Sequence, residues 1–402
     1  MSSLKLHGVN KIYPSGTLAL YDAYLETGDK EFVVVVGAEE SGKSTLLRVI
    51  AGLEEASEGQ IFINDKDVTE VEPKDRDIAM VFRNNTLYPS LNVFDNMAFG
   101  LKIRKASQAL IEQRVKAAAK ILGLEDILFR KPKTLTAAQR QRVAIGRAIV
   151  REPKLYLLDE PLAGLDEKLK AELLNVIINI QARMEGTFIY ATKNLSEALT
   201  IGTRIIVMKN GTIQQIDTPA NLYDYPVNAY VAFYIGAPSI NFVNNAKIVR
   251  TDDGVFAEDK EFRLKLSENV LARFGKADEY TGTEKRVIVG IRPEDMTTVK
   301  GKDAEVTKVE NDGDDYYAEC KYLGHTFVVK TRSGQGAGEC GLEIDLDRVH
   351  LFDAETRLTL LSRDGGYKNT GFADADRLPL TFPEEEELMK TLKAKKAEKK
   401  KK

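Results

Sequence analysis

Tryptophan is absent, and cysteine and histidine are scarce: 402 residues hold two cysteines and three histidines. Cys320 and Cys340 lack the short paired spacing of a thiolate metal site and read as the free thiol pair of a reducing compartment. An excess of either charge sign is missing too. The formal net charge is −3, so no overall basic field points to nucleic acid. No apolar run approaches the roughly 20 residues that cross a bilayer. The opening MSSLKLHGVN carries no apolar stretch of the secretory kind. The expectation is a cytosolic protein whose contact with a membrane comes through a partner.

What is present is ordinary globular texture, 43% hydrophobic and 30% charged, on a chain long enough for two or three domains. Residues 1–235 alternate strand-like runs (FVVVVG, DIAMVF, KLYLLDE, TFIYAT, RIIVMK) with helical stretches, the order of a parallel α/β sheet. Apolar residues recurring at three and four predict helices over 108–122 and 137–152, inside a helical subdomain of about 85–150. Residues 236–362 change to short alternating runs with turn signals, the pattern of a small all-β, barrel-like module. Residues 363–402 end in FPEEEELMKTLKAKKAEKKKK. This charged tail reads as a helix, as a disordered basic segment, or more weakly as a membrane-surface contact.

The stretch FVVVVGAEESGKSTLL, residues 32–47, carries Gly37, Gly42, Lys43 and Ser44 in the G-x-x-x-x-G-K-[ST] spacing of a phosphate loop. Such a loop converges backbone N–H groups on phosphate oxygens and aims a helix N-terminus at them. Ser41 and Thr45 belong to the same cradle. Lys43 is expected to reach the β- and γ-phosphates, and the Ser44 hydroxyl to ligate Mg²⁺. LYLLDEP ends an apolar strand in Asp159 and Glu160, placing a metal-linked aspartate beside a carboxylate for the attacking water. Lys43, Asp159 and Glu160 are the expected catalytic groups.

GLEEASEGQIFINDKDVTEVEPKDRDIAMVF, LYPSLNVFDNMAFGLK, QRQRVAIGRAIVREPKLYLLDEPLAGLD and RIIVMKNGTIQQIDTP closely resemble the ATPase subunits of ABC transporters. GIRPEDM and HLFDAETRLTL narrow the resemblance to the maltose-type carbohydrate importers, over about residues 4–362. It implies an α/β P-loop NTPase of ABC type with a C-terminal OB-like β-barrel regulatory domain. It implies ATP and Mg²⁺ as cofactors, and a head-to-tail ATPase dimer beneath two membrane permease subunits. The place would be the cytoplasmic membrane face, with an extracytoplasmic solute-binding protein met only indirectly. Tyr13 would stack on adenine, and Leu87–Val93 would meet the permeases. Thr136, Ala138 and Gln139, in the signature motif, would cover the partner's ATP, and Asp166 would sit in the following loop.

The departures from the family fall on the catalytic positions. Glu39 and Glu40 replace small loop residues and bring like charge toward a triphosphate. Arg83 stands for a glutamine that touches Mg²⁺ and water, and an arginine accepts no hydrogen bond. Lys193 stands for the γ-phosphate histidine; His7, His325 and His350 lie elsewhere. LTAAQ replaces the signature Leu-Ser-Gly-Gly-Gln, with Ala137 and Ala138 for the glycines, and Ala163 replaces a serine. These changes predict an ATPase impaired in hydrolysis and paired, by preference, with an intact paralogue; a homodimer is the alternative. They also raise the expectation that Glu39 or Glu40 pairs with Arg83 or Lys193 across the site.

Overall fold

The computed structural model describes residues 4–84, 86–312, 315–331 and 336–363. The charged tail, from residue 364 onward, lies outside the described residues. By its contacts the chain divides after Pro219 into two compact units.

The first unit opens with the antiparallel pair β1 (Leu4–Ile12) and β2 (Leu18–Thr27). β3 (Phe32–Val36), five buried residues, runs into the phosphate loop and α1 (Lys43–Ala51). β4 (Glu58–Ile63) and β5 (Lys66–Asp67) complete a sheet of order β2-β1-β4-β5. There follow β6 (Ile78–Val81), α2 (Val93–Ile103), α3 (Gln108–Leu122), α4 (Ala137–Ile149) and β7 (Leu155–Asp159). The unit ends with α5 (Glu167–Gln181), β8 (Thr187–Thr192), α6 (Leu195–Ile201), β9 (Arg204–Lys209) and β10 (Thr212–Asp217). The second sheet has the order β10-β9-β3-β8-β7-β6; β9 to β6 are parallel and β10 closes the edge antiparallel to β9.

All five expected apolar runs are strands of this sheet. β3, β7 and β8 are buried at every position, as continuous apolar strands covered on both faces must be. Leu46, Leu47, Val49 and Ile50 of α1 join Val33, Val35, Leu157 and Ile189 in one core, which fixes the phosphate loop to the sheet. The helix expected over 108–122 is α3. The second expected helix stops at Ile149, short of 152, where Glu152 turns to a φ of 48°.

The second unit holds two antiparallel sheets. One joins β11 (Asn241–Thr251), β12 (Gly254–Asp259), β13 (Phe262–Lys265) and β14 (Val287–Ile291) to the last strand, and the other is built on β15 (Met296–Asp312), β16 (Asp315–Tyr322), β17 (His325–Thr331) and β18 (Gly338–Ile344), with β19 (His350–Asp353) returning to β14. The side chain of Asn241 donates to Val328 O and accepts from Val328 N, both at 2.8 Å, and so ties the first sheet to β17. Two short helices, Glu268–Arg273 and Ala277–Tyr280, interrupt the all-β pattern. Cys320 and Cys340 are free, buried thiols in the core, and burial pushes both up from the ordinary thiol value.

This unit also buries a charged cluster. Arg292 is 1% exposed, its guanidinium 3.5 Å from the Tyr223 ring centre, and it donates to Tyr223 O (2.6 Å) and Ile235 O (2.8 Å). Those carbonyls explain why residues 220–235, expected with the first domain, group with the second unit. Asp295 pairs with Arg348 at 2.7 Å, and burial raises its carboxyl to about 6. His350 is buried, and desolvation followed by the charges of Arg292, Arg273 and Arg348 lowers it to about 3. Among the described residues no helix is long and apolar enough to cross a membrane.

Candidate functional site

The phosphate loop sits at the C-terminal end of β3, where a parallel sheet leaves its strand ends open for ligands. Two glycines are sterically required. A Cβ on Gly37 would lie 2.4 Å from Met208 O, and Gly42, at φ 98°, opens α1 in a left-handed conformation with Ala19 O 2.7 Å from any Cβ. Lys43 is buried and folds back over the loop, donating to Gly37 O (2.9 Å), Ala38 O (2.6 Å) and Ser41 Oγ (3.2 Å). Desolvation holds its ammonium below the ordinary lysine value, while Glu160, Asp159 and Glu39 oppose that shift. The loop is thus tightened around the lysine that would meet phosphate.

Ser44 Oγ donates to Asp159 Oδ1 at 2.7 Å, so the two expected metal-binding residues are neighbours. The Tyr13 hydroxyl lies 3.4 Å from Thr45 Oγ1, with Lys11 Nζ 5.0 Å from its ring centre. This sets an aromatic ring beside the first turn of α1. Glu160, one residue past β7, has a φ of 44° and a side chain only 10% exposed.

The substituted positions converge on this place. Lys193 Nζ lies 2.6 Å from Glu39 Oε1, which is the ion pair expected between a loop glutamate and a new base. Arg83, the alternative base in that expectation, takes another partner. Its Nε lies 3.4 Å from Glu160 Oε2, so the new arginine engages the carboxylate expected to handle water, not a loop glutamate. The reason is position: Arg83 follows β6, the neighbour of β7, and β7 leads straight into Glu160. Glu40 turns out at φ 62°, exposed.

Thr136, Ala138 and Gln139 open α4, away from the loop in sequence and bonded to their own helix. Thr136 Oγ1 accepts from Gln139 N (3.2 Å) while Gln139 Oε1 accepts from Thr136 N (3.0 Å), a reciprocal cap. Asp166 caps α5, its Oδ1 accepting from Leu169 N at 3.0 Å.

A cleft of about 850 Å³ runs from Ser44, Asp159 and Arg83 to Tyr88, Ile103 and Arg147. Sequence reasoning missed the residue that shapes its far wall. Asn96, fully buried, accepts from Tyr88 N (2.8 Å) and donates to Leu91 O (3.1 Å) and Asn92 O (2.9 Å), fixing the 87–93 stretch. The signal was an asparagine on the apolar side of α2. Phe82 and Ile103 stay 45% and 66% exposed beside the cleft.

Known proteins agree with this construction. Residues 20–163 match the ABC transporter family, and residues 236–296 match the MalK OB fold domain. The chain is 41% identical over 375 residues to the oligosaccharides import ATP-binding protein MsmX of Bacillus subtilis, which covers 90% of this chain and all of that one. It is 43% identical over 376 residues to the trehalose/maltose import ATP-binding protein MalK of Thermococcus litoralis, 89% of this chain and 99% of that one. Among solved structures, cbiO1 of Clostridium perfringens, part of an ABC transporter complex, superposes with a TM-score of 0.51 at 29% identity, over 55% of this chain and 90% of that one. A phosphate loop on a parallel sheet, a carboxylate pair at the end of β7 and relatives matched along their whole length lead to one conclusion: the chain belongs to the ATP-binding proteins of ABC transporters, a P-loop NTPase domain followed by a MalK-type OB-fold domain.

Proposed function

We propose that this chain is the ATP-binding subunit of an importer for sugars or oligosaccharides, coupling ATP to transport from the cytoplasmic face of the membrane. The observation that carries the reading is the pairing of the nucleotide domain with a MalK-type second domain, shared with relatives named for sugar import. The second domain would begin by about residue 235, with residues 220–235 packed into its unit and the charged tail beyond 362. Two permease subunits would hold it, the solute-binding protein acting on them from outside. Leu87–Val93 would meet a permease there; Leu87, Tyr88 and Pro89 line the cleft, and Phe82 and Ile103 stay exposed beside it.

ATP would lie on Gly37, Ser41, Gly42, Lys43, Ser44 and Thr45, with adenine against Tyr13. Phosphate binding falls to the loop's N–H groups and the start of α1. Thr136, Ala138 and Gln139 would close the partner's site, with Asp166 at its edge. Glu160 is the carboxylate that would orient water, and the Arg83 ion pair opposes it. Mg²⁺, implied by the resemblance, finds Ser44 and Asp159 as oxygen donors, but the third position is a guanidinium in the same cleft, which donates only. This donor set does not fit the metal.

The chain is therefore read as hydrolysis-impaired at its own loop and joined to an intact paralogue. In such a pair the site on this loop carries Glu39, Glu40, Arg83 and Lys193, while the opposite site meets only the altered LTAAQ lid. A non-hydrolytic scaffold is the second reading, favoured by the Arg83–Glu160 pair. Mild-detergent purification from native membranes with mass spectrometry tests the assembly: two permeases and a second, intact ATPase are expected. Permeases with this ATPase alone would overturn the pairing. Phosphate release by that complex separates a motor from a scaffold.

A further inference from the structure

Resting on the reading of this loop as a nucleotide site, we infer that it binds adenine nucleotide without a divalent metal, the side chains of Arg83 and Lys193 supplying the two positive charges that the metal would bring.

The charges around the loop balance by themselves. With the outward-turned Glu40 set aside, Glu39, Asp159 and Glu160 face Lys43, Arg83 and Lys193, three acids and three bases. The six form one electrostatic neighbourhood. The Lys193 hydrogen bond and charge hold the Glu39 carboxyl below its ordinary value, and Arg83 and then Lys43 add to the effect. Without Arg83 and Lys193 the same place would be short of two positive charges, and a divalent cation is the simplest remedy. With them, a divalent cation sits beside a guanidinium that repels it and shares its cleft with Ser44 and Asp159.

Both bases are held in a way that lets a phosphate take them. Lys193 and Glu39 are 51% and 70% exposed, and Arg83 is 56% exposed. The Lys193–Glu39 pair, open to water and salt at both ends, is weak, so exchange of its carboxylate for a phosphate oxygen is inexpensive. Arg83 meets the 10% exposed Glu160 at 3.4 Å, longer than a good charge-assisted hydrogen bond. A guanidinium presents a planar fork that fits phosphate in two bonds, and lysine meets it as a point charge. The loop N–H groups and the start of α1 need no metal to hold an anion. Exchange would also release Glu39 to solvent, removing the acid that otherwise faces the triphosphate.

The test is the affinity of the full-length chain for trinitrophenyl-ATP in excess EDTA and in excess Mg²⁺. The expected dissociation constants differ by less than about threefold, whereas a metal-dependent site separates them by tenfold or more. Arg83→Gln restores an oxygen donor, and should bind at least about tenfold tighter with Mg²⁺ than with EDTA. Lys193→Met, at an exposed position, should weaken binding in EDTA by about tenfold. Mn²⁺ paramagnetic resonance gives a second readout: nucleotide-dependent Mn²⁺ binding by Arg83→Gln and not by the parent chain. Tenfold tighter binding of the parent with Mg²⁺, or Mn²⁺ held equally by both, overturns the inference and leaves the nucleotide site standing. No binding in either condition overturns both.

Discussion

Each unit holds a charged cluster, and these two are built in opposite ways. In the first unit Glu39, Arg83 and Lys193 are more than half exposed and pair side chain to side chain. In the second, Arg292 is 1% exposed and spends its guanidinium on backbone carbonyls and an aromatic face. The open cluster is made of partners that a ligand can replace. The buried cluster has no substitute for water inside the fold, and breaking it leaves polar groups stranded. The open cluster is therefore read as function, and the buried cluster as structure.

The largest effect expected is on the buried side. Arg292→Met strips Tyr223 O and Ile235 O of their donor and should destabilise the second unit by about 3 kcal/mol or more, measured by urea unfolding. A loss under 1 kcal/mol would break the contrast. Next comes Lys43→Ala, which removes the one buried cation of the open site and should weaken nucleotide binding roughly thirtyfold to a hundredfold. In the proposed heterodimer the same variant should leave transport nearly unchanged, since the paralogue's loop does the work; complete loss of transport refutes that division.

The buried cluster also sets two opposing pH slopes. His350 is lowered from 6.5 to about 3, so between those values the unfolded chain holds a proton that the folded chain rejects. Stability from this group is full above 6.5 and is lost as pH falls, by about 2 kcal/mol at pH 5. Asp295 is raised from 3.8 to about 6, so the folded chain holds the proton and stability falls as pH rises through that window. Between pH 5 and 6 it offsets about 1 kcal/mol. Asp295→Asn should leave a rising slope from pH 5 to 6.5, and His350→Gln a falling one. Two variants with the same slope would contradict the assignment.

Sequence legibility followed the same division. Gly37, Gly42, Lys43 and Ser44 were readable because a phosphate loop is a local pattern whose spacing fixes the backbone, and Asp159 because an apolar strand ends in it. The pairing of Lys193 with Glu39 was readable as charge compensation. Arg83 with Glu160 was not, because it depends on β6 lying beside β7, a tertiary fact. The buried Arg292 was hidden for a different reason: arginine is ordinarily a surface residue, and the carbonyls that satisfy it lie 57 and 69 positions away. The reciprocal cap of Thr136 and Gln139 was visible as the T-x-x-Q spacing, and went unread because those residues stood in the signature motif.

The smallest effect sharpens the functional side. If Arg83 and Lys193 restrain turnover, Arg83→Gln with Lys193→His frees Glu160 and returns a water-positioning amide and a neutral imidazole to the γ-phosphate end. Single transition-state contacts are worth about a hundredfold or more in rate. Full recovery is not expected, because Glu39 loses its partner and stays in the loop, and Ala137 and Ala138 still add methyl groups where the proposed lid would approach phosphate. Phosphate release should rise about tenfold over the parent chain, and Mg²⁺ should become a requirement for that rise. A tenfold gain that survives EDTA would separate the two roles given to Arg83, leaving the restraint on Glu160 and removing the substitution for the metal. No gain at all would move the block from the open cluster to the signature turn at the head of α4.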